Sequence, residues 1–209
     1  MFFSGFMTYN TPQVSDADFY TDIQNLLAAN AIGFTALNSF GEVTIVLDDS
    51  SRICRVIELL KTNQDADMAM LVDICGADYL GRDKRFELNY HLLSLTKNKR
   101  LRIKIKLDLG EKADSIAHIH STACWFEREA FDMLGIEFNN SPDHRRILTD
   151  YNFVGFPLRK DFPLSGFKEI KYSQKDGKII ETPVEMTQEY RDFDFETPWA
   201  GAVSQIKNS

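Results

Sequence analysis

The clearest pattern along the chain is an alternation. Leu101, Ile103, Ile105, Leu107 and Leu109 interleave with Arg102, Lys104, Lys106 and Asp108, the period of two that marks a strand with one face buried. Its basic outward face reads as solvated, and it would also discourage edge pairing. Phe86, Leu88, Tyr90 and Leu92 alternate in the same way with Glu87, Asn89 and His91. The polar link Thr96 to Arg100 makes the two runs a hairpin. Met68 to Cys75 is an apolar run suited to a strand buried on both faces. Gly33–Leu37 and Val43–Leu47 read as two short strands around a turn at Ser39-Phe40-Gly41.

Helical spacing appears three times. Ser15-Asp16-Ala17-Asp18 resembles a capping box and leads into Phe19, Ile23, Leu26 and Leu27. Ser50 or Ser51 can cap a second helix with Ile53, Val56, Ile57 and Leu60 on its inner face. A third is expected from Ser115 to Leu134, capped by Asp114 and ended by a left-handed Gly135, with Ile116, Ile119, Ala123, Phe126, Ala130 and Leu134 as its seam. After a segment 1–14, these elements predict an α+β domain over residues 15–135, its helices packed on a mostly antiparallel sheet.

Beyond Gly135 the pattern breaks. Five of the six prolines, Pro142, Pro157, Pro163, Pro183 and Pro198, lie here. One regular element stands out, a hairpin pairing Glu169–Tyr172 with Lys178–Glu181 around Asp176-Gly177. Phe153, Phe156, Phe162, Phe167, Tyr190, Phe193, Phe195 and Trp199 make the stretch too aromatic for a solvated linker. Residues 136–209 are therefore read as an extended C-terminal arm that lies on partner proteins.

Charge and chemistry narrow the function. A net charge of −7 argues against a nucleic-acid protein, and no run approaches the roughly 20 apolar residues of a membrane-spanning helix. The opening MFFSGFMTYN has neither the charged start of a secretory leader nor the arginines of a transit peptide. Cys54, Cys75 and Cys124 are far apart, which suits buried thiols in a reducing compartment and not the closely spaced ligands of zinc or an iron–sulfur cluster. His118 and His120, two apart on an expected helix, point in different directions. Gly76 to Asp83 has phosphate-loop glycine spacing, but Arg82 stands in place of the required lysine and a strand follows, so it reads as a turn.

Glu127, Arg128, Glu129 and Asp132 are expected on the exposed side of the third helix. Arg145, Arg146, Asp150, Arg159, Lys160 and Asp161 crowd the arm, where arginine forks can fix carboxylates and carbonyls. Two rival readings are a hydrolytic or metal site built from the Glu127–Asp132 carboxylates with His118 or His120, and a nucleic-acid module using Arg100 to Lys106 with Arg145-Arg146.

EREAFDMLGIEF, PDHRRILTDYNFVGFPLRKDFPLSGF and PVEMTQEYRDFDFETPW closely resemble the signature stretches of the respiratory complex I 30-kDa subunit family, which has bacterial and mitochondrial members. The resemblance is densest over Ala123 to Trp199. Two positions depart from the family pattern, Ser141 and Phe156, each standing where a histidine is usual; His144 stands where Leu is more common. A packing or hydrogen-bonding role is inferred for those positions.

The resemblance implies an α+β domain with an arm over the 49-kDa-type quinone-site subunit, near the iron–sulfur subunits. It implies no cofactor in this chain, with FMN, iron–sulfur clusters and quinone in neighbouring subunits of a proton-pumping NADH:quinone oxidoreductase. It also implies no catalytic residue. The implied interface and signature set is Glu127, Arg128, Glu129, Asp132, Pro142, Asp143, Arg145, Arg146, Asp150, Gly155, Pro157, Arg159, Lys160, Asp161, Pro163 and Trp199. For the charged members, an intramolecular ion pair that positions the arm is an equal alternative. The expected location is the matrix side of the mitochondrial inner membrane, with the cytoplasmic face of a bacterial membrane as the alternative.

Overall fold

The computed structural model describes residues 16–39, 42–186 and 188. The chain divides into two compact units, residues 1–162 and 163–209. The first therefore runs past Gly135, where the sequence changes character.

Five strands form the sheet of the first unit: β1 (Phe34–Ser39), β2 (Glu42–Leu47), β3 (Met70–Asp78), β4 (Phe86–Ser94) and β5 (Lys99–Leu107), in the order β1-β2-β5-β4-β3. All neighbours are antiparallel except β2 and β5. This is the expected α+β class, with one parallel junction where two hairpins meet. The turn expected at Ser39-Phe40-Gly41 includes Phe40 and Gly41, which lie outside the described residues.

Register sorts the side chains into two faces. Ile74, Tyr90, Ile103 and Ile45 are aligned across four strands and are all buried. Helices α1 (Asp16–Ala29) and α2 (Ile53–Thr62) join this face in one core through Phe19, Ile23, Leu27, Ile53, Val56, Ile57 and Leu60. Gly76, also on this face, leaves room for Leu134 of α3 (Ala123–Leu134). The other face carries the row Asp73, His91, Arg102, Thr44 and Leu37. The basic strand faces outward as its alternation requires, but it ends at Leu107, and Leu109 is exposed.

Several local expectations are corrected. Met68 to Cys75 is not buried on both faces: the strand starts at Met70, which is exposed, and Cys75 is exposed too. Cys54 and Cys124 are only partly buried, so the picture of three buried thiols does not hold. Glu87 and Asn89 of β4 are buried, because the long side chain of Lys104 lies across that face and its Nζ donates to Glu87 Oε1 at 2.7 Å. The second helix is entered through a single 3-10 turn, Ser50–Arg52, capped by Asp49, which accepts from the Ser51 N–H at 3.0 Å, so neither serine is the cap.

The third helix is shorter than its seam suggested. It begins at Ala123, not Ser115. Pairing of the two-residue strands β6 (Ala113–Asp114) and β7 (Phe138–Asn139) commits the preceding backbone to an extended path, and the Ser115 N–H continues it by donating to the Asn139 carbonyl. Asp114 caps nothing; it accepts from Asn139 Nδ2. His118 and His120 fall in the turns that follow, the first exposed and the second buried. The C-terminal end is as expected, with Gly135 left-handed at φ 72° and its N–H donating to the Phe131 carbonyl.

In the second unit, β8 (Lys168–Ser173) and β9 (Lys178–Pro183) form the hairpin read from the sequence, with Ile170 opposite Glu181.

Candidate functional site

Helix α3 presents charges where an amphipathic helix normally presents alkyl groups. Glu127 and Asp132 are 1% and 0% exposed, and Arg128 is 8% exposed. Only Glu129 lies on the solvated side. The expectation that all four are exposed is thus wrong for three of them. Residues 143–161 fold back over α3, and Arg128 and Asp132 bind that segment's backbone, whereas Glu127 is held by Ser115 and Ile116, which precede the helix.

Asp132 sits at the centre. Its Oδ2 accepts from three successive backbone N–H groups, Ile147 at 3.0 Å, Leu148 at 2.7 Å and Thr149 at 2.8 Å. Its Oδ1 accepts from Arg146 Nη1 at 2.7 Å and from the Thr149 hydroxyl. Burial pushes this carboxyl up. The hydrogen bonds from Thr149, Leu148 and Arg146 outweigh burial and hold the group well below the ordinary carboxylate range. Arg146 also donates to the Gly155 carbonyl, and its guanidinium lies 5.5 Å from the Phe156 ring centre.

Arg128 works in the opposite polarity. Its Nε donates to the Arg145 carbonyl at 2.9 Å and its Nη2 to the Arg146 carbonyl at 3.0 Å, while Nη1 stands 3.4 Å from Asp143. A planar fork suits two adjacent carbonyls in a way an ammonium does not. Glu127 faces the other way, accepting from the Ser115 hydroxyl at 2.7 Å and the Ile116 N–H at 2.8 Å. Burial dominates there and raises its pKa.

The C-terminal end of α3 is closed by the same segment. The Leu158 N–H donates to the Met133 carbonyl at 3.0 Å, and Arg159 Nε donates to the Leu134 carbonyl at 2.6 Å. Helix-end carbonyls need such donors, and a cation there also suits the helix dipole. Arg159 stacks on Phe156, 4.3 Å from its centre. Arg85 then clamps Asp78 (2.7 and 2.8 Å) and Asp161 (3.0 and 2.8 Å), and Asp78 accepts from the Lys160 N–H at 2.8 Å. Arg85 and Asp78 were missed in the sequence; an arginine and an aspartate flanking a strand turn give no local sign of a partner 76 residues on.

The remaining signature residues are peripheral. Arg145 is exposed and pairs with Asp143, whose carboxylate its fork and N–H hold well below the usual range. Asp150, Pro142 and the Lys160 side chain are exposed, and Pro157 is half-buried. Gly155 is left-handed at φ 102°, with the Phe162 ring where a side chain would stand. Pro163 belongs to the second unit. Trp199, with Tyr190, Phe193 and Phe195, lies outside the described residues. At the departures from family pattern, the Ser141 hydroxyl donates to the Asp143 carbonyl, and Phe156 packs edge-on against Phe131.

The carboxylates are saturated with donors, and among the described residues no group of three His, Cys, Asp or Glu side chains is placed to hold a metal ion. Around this latch, the 143–161 segment fastened on α3, Trp125, Leu148, Tyr151, Val154 and Leu158 are all more than half exposed. The fold and site together define an α+β domain that braces its own following segment and holds apolar side chains out to solvent.

Residues 46–168 match the family described as "Respiratory-chain NADH dehydrogenase, 30 Kd subunit". The chain is 47% identical over 163 residues to the C subunit of the NADH-quinone oxidoreductase of Methylobacterium sp. (strain 4-46), covering 78% of this chain and 75% of that protein. It is 45% identical over 180 residues to the same subunit from Maricaulis maris (strain MCS10), covering 86% and 88%. A chain in the structure of the membrane-bound sulfane sulfur reductase, an archaeal respiratory membrane complex, shares the fold at TM-score 0.59 and 20% identity, over 83% of this chain and 99% of that one. The chain belongs to the 30 Kd subunit family of the respiratory-chain NADH dehydrogenase. No described helix is long and apolar enough to cross a membrane.

Proposed function

We propose that this chain is a structural and assembly subunit of a proton-pumping NADH:quinone oxidoreductase, carrying no cofactor and no catalytic residue. FMN, iron–sulfur clusters and quinone are then held by neighbouring subunits, and residues 136–209 are the part that docks on them, above all on the quinone-site subunit and the iron–sulfur subunits. The observation that carries this reading is the latch. Buried charges cost free energy unless fully paired, and here Asp132 and Arg128 direct most of their hydrogen bonds to the backbone of residues 145–149. Fixing that backbone holds Leu148, Tyr151 and Val154 out as an apolar patch, the anatomy of an interface core.

The chain works on the side of the coupling membrane where NADH is oxidised. The favoured site is the mitochondrial matrix; relatives 45–47% identical in Methylobacterium and Maricaulis support the bacterial cytoplasmic face as the alternative.

Truncation separates this reading from an independent enzyme. A chain ending at Phe162 should fold, because its charges keep their partners, yet fail to enter the NADH-oxidising band on a native gel. Full incorporation of the truncated chain, or turnover by the isolated chain, would overturn the proposal. Ending at Asn140 is the poorer test, since it strips Asp132 and Arg128 of their partners.

A further inference from the structure

The two edges of the sheet are unlike. β3 has a register shift between Leu71 and Asp73, carries Asp73 and Asp78, and receives the Lys160 N–H at its end. Bulges, charges and cover of this kind keep edge strands from pairing. Among the described residues β1 has none of them. Its sequence, Phe-Thr-Ala-Leu-Asn-Ser, contains no charge, proline or glycine, and it pairs with β2 through all six residues without a shift. Every residue after Phe34 is exposed, including Ala36, whose partner Ile45 is fully buried. No described strand pairs with its outer edge.

Beside this edge, on the polar face, lies a recess of about 280 Å³. Leu37 and Val46 contribute its apolar lining, and Lys84, Lys106 and Asp48 its charged groups. Lys84 stands 3.8 Å from Glu111, whereas Lys106 has no ion-pair partner among the described residues.

We infer that β1 accepts a sixth strand from another polypeptide of the assembly. The strand is an extended segment with an apolar side chain over Leu37 and Val46 and a carboxylate directed at Lys106. Main-chain hydrogen bonds along a flat, uncharged edge supply the attachment, and the recess selects the side chains. The inference rests on the chain being a subunit, but not on residues 136–209 being its docking part.

The test uses the chain within the intact membrane complex and the same chain alone. Amide hydrogen exchange across Phe34–Ser39 should slow by at least about tenfold on assembly. A photo-crosslinking residue at Asn38 should join an extended, acid-bearing segment of a different subunit. Leu37→Lys should lower incorporation several-fold while the free chain keeps its circular dichroism and melting temperature, and Leu37→Met should incorporate normally. A crosslink to residues 1–15 of the same chain or to a second copy would overturn the inference. So would unchanged exchange, or full incorporation of Leu37→Lys. Failure of the wild-type chain to enter the complex would instead remove the subunit reading and this one with it, which keeps the two failures distinct.

Discussion

The core face of the sheet and the 143–161 segment are held by opposite means. The core is alkyl and aromatic throughout, with Ile45, Ile103, Leu88 and Leu60 all fully buried, and its cohesion is spread over many small contacts. The segment has its side chains largely outside and is held through its backbone by a few buried charges. Apolar cohesion tolerates loss in increments. A charge latch does not, because removing one partner leaves the other buried and unpaired.

Asp132→Ala should show this most strongly. It strands Arg146 and three backbone N–H groups, so a loss of about 3–5 kcal/mol is expected in urea unfolding. Limited proteolysis should cut first within residues 143–155. A mutant that lost stability yet kept this segment protected would break the contrast.

Gly135→Ala is expected next, at about 2 kcal/mol or somewhat more, from a left-handed backbone plus a Cβ 2.6 Å from the Phe156 ring. Its damage should appear as faster exchange around residues 156–160, with the sheet unaffected.

Ile103→Val removes one methylene from the core and should cost about 0.5–1.5 kcal/mol with no release of the segment. Arg145→Ala, on an exposed side chain, should change stability by less than about 0.5 kcal/mol. It should still reduce the amount of assembled complex more than the activity of each complex formed; equal losses in both would place Arg145 in the chemistry instead.

Acid sharpens the same comparison. Asp132 is held below its unfolded value, so its contribution is complete above the ordinary carboxylate value of about 3.9 and is lost as pH falls below it. Glu127 is held above its unfolded value, so the folded state takes up its proton first and its contribution declines as pH rises through that interval. Acid titration of the wild type should therefore detach the 143–149 segment before the core melts. In Asp132→Asn, the early acid step should be missing from proteolysis followed against pH.

The sequence carried the fold where periodicity is local. The alternation through Leu101–Leu107 and the Ile53–Leu60 spacing were enough to place β5 and α2. It failed where a distant partner decides. Nothing near Glu127 or Asp132 shows that Ser115 and residues 147–149 will donate to them, so a helix face dense in charge reads as solvated. The same blindness lengthened α3, because Ile116 and Ile119 fit a helical seam while β7, more than twenty residues on, commits the backbone elsewhere. Packing shows that several residues of the signature stretches, Arg128, Asp132, Arg146 and Arg159 among them, are internal fasteners.

The parallel junction of β2 with β5 has a kinetic consequence. Each hairpin can close on its own within microseconds, but Thr44 meets Arg102, 58 positions on, only after the intervening chain is gathered in. Such non-local closure is the slow step of small-domain folding. During synthesis, β1 and β2 must wait until β4 and β5 have left the ribosome. Over that interval the strand most in need of shelter is β2, whose Val43, Ile45 and Leu47 are all buried in the finished fold.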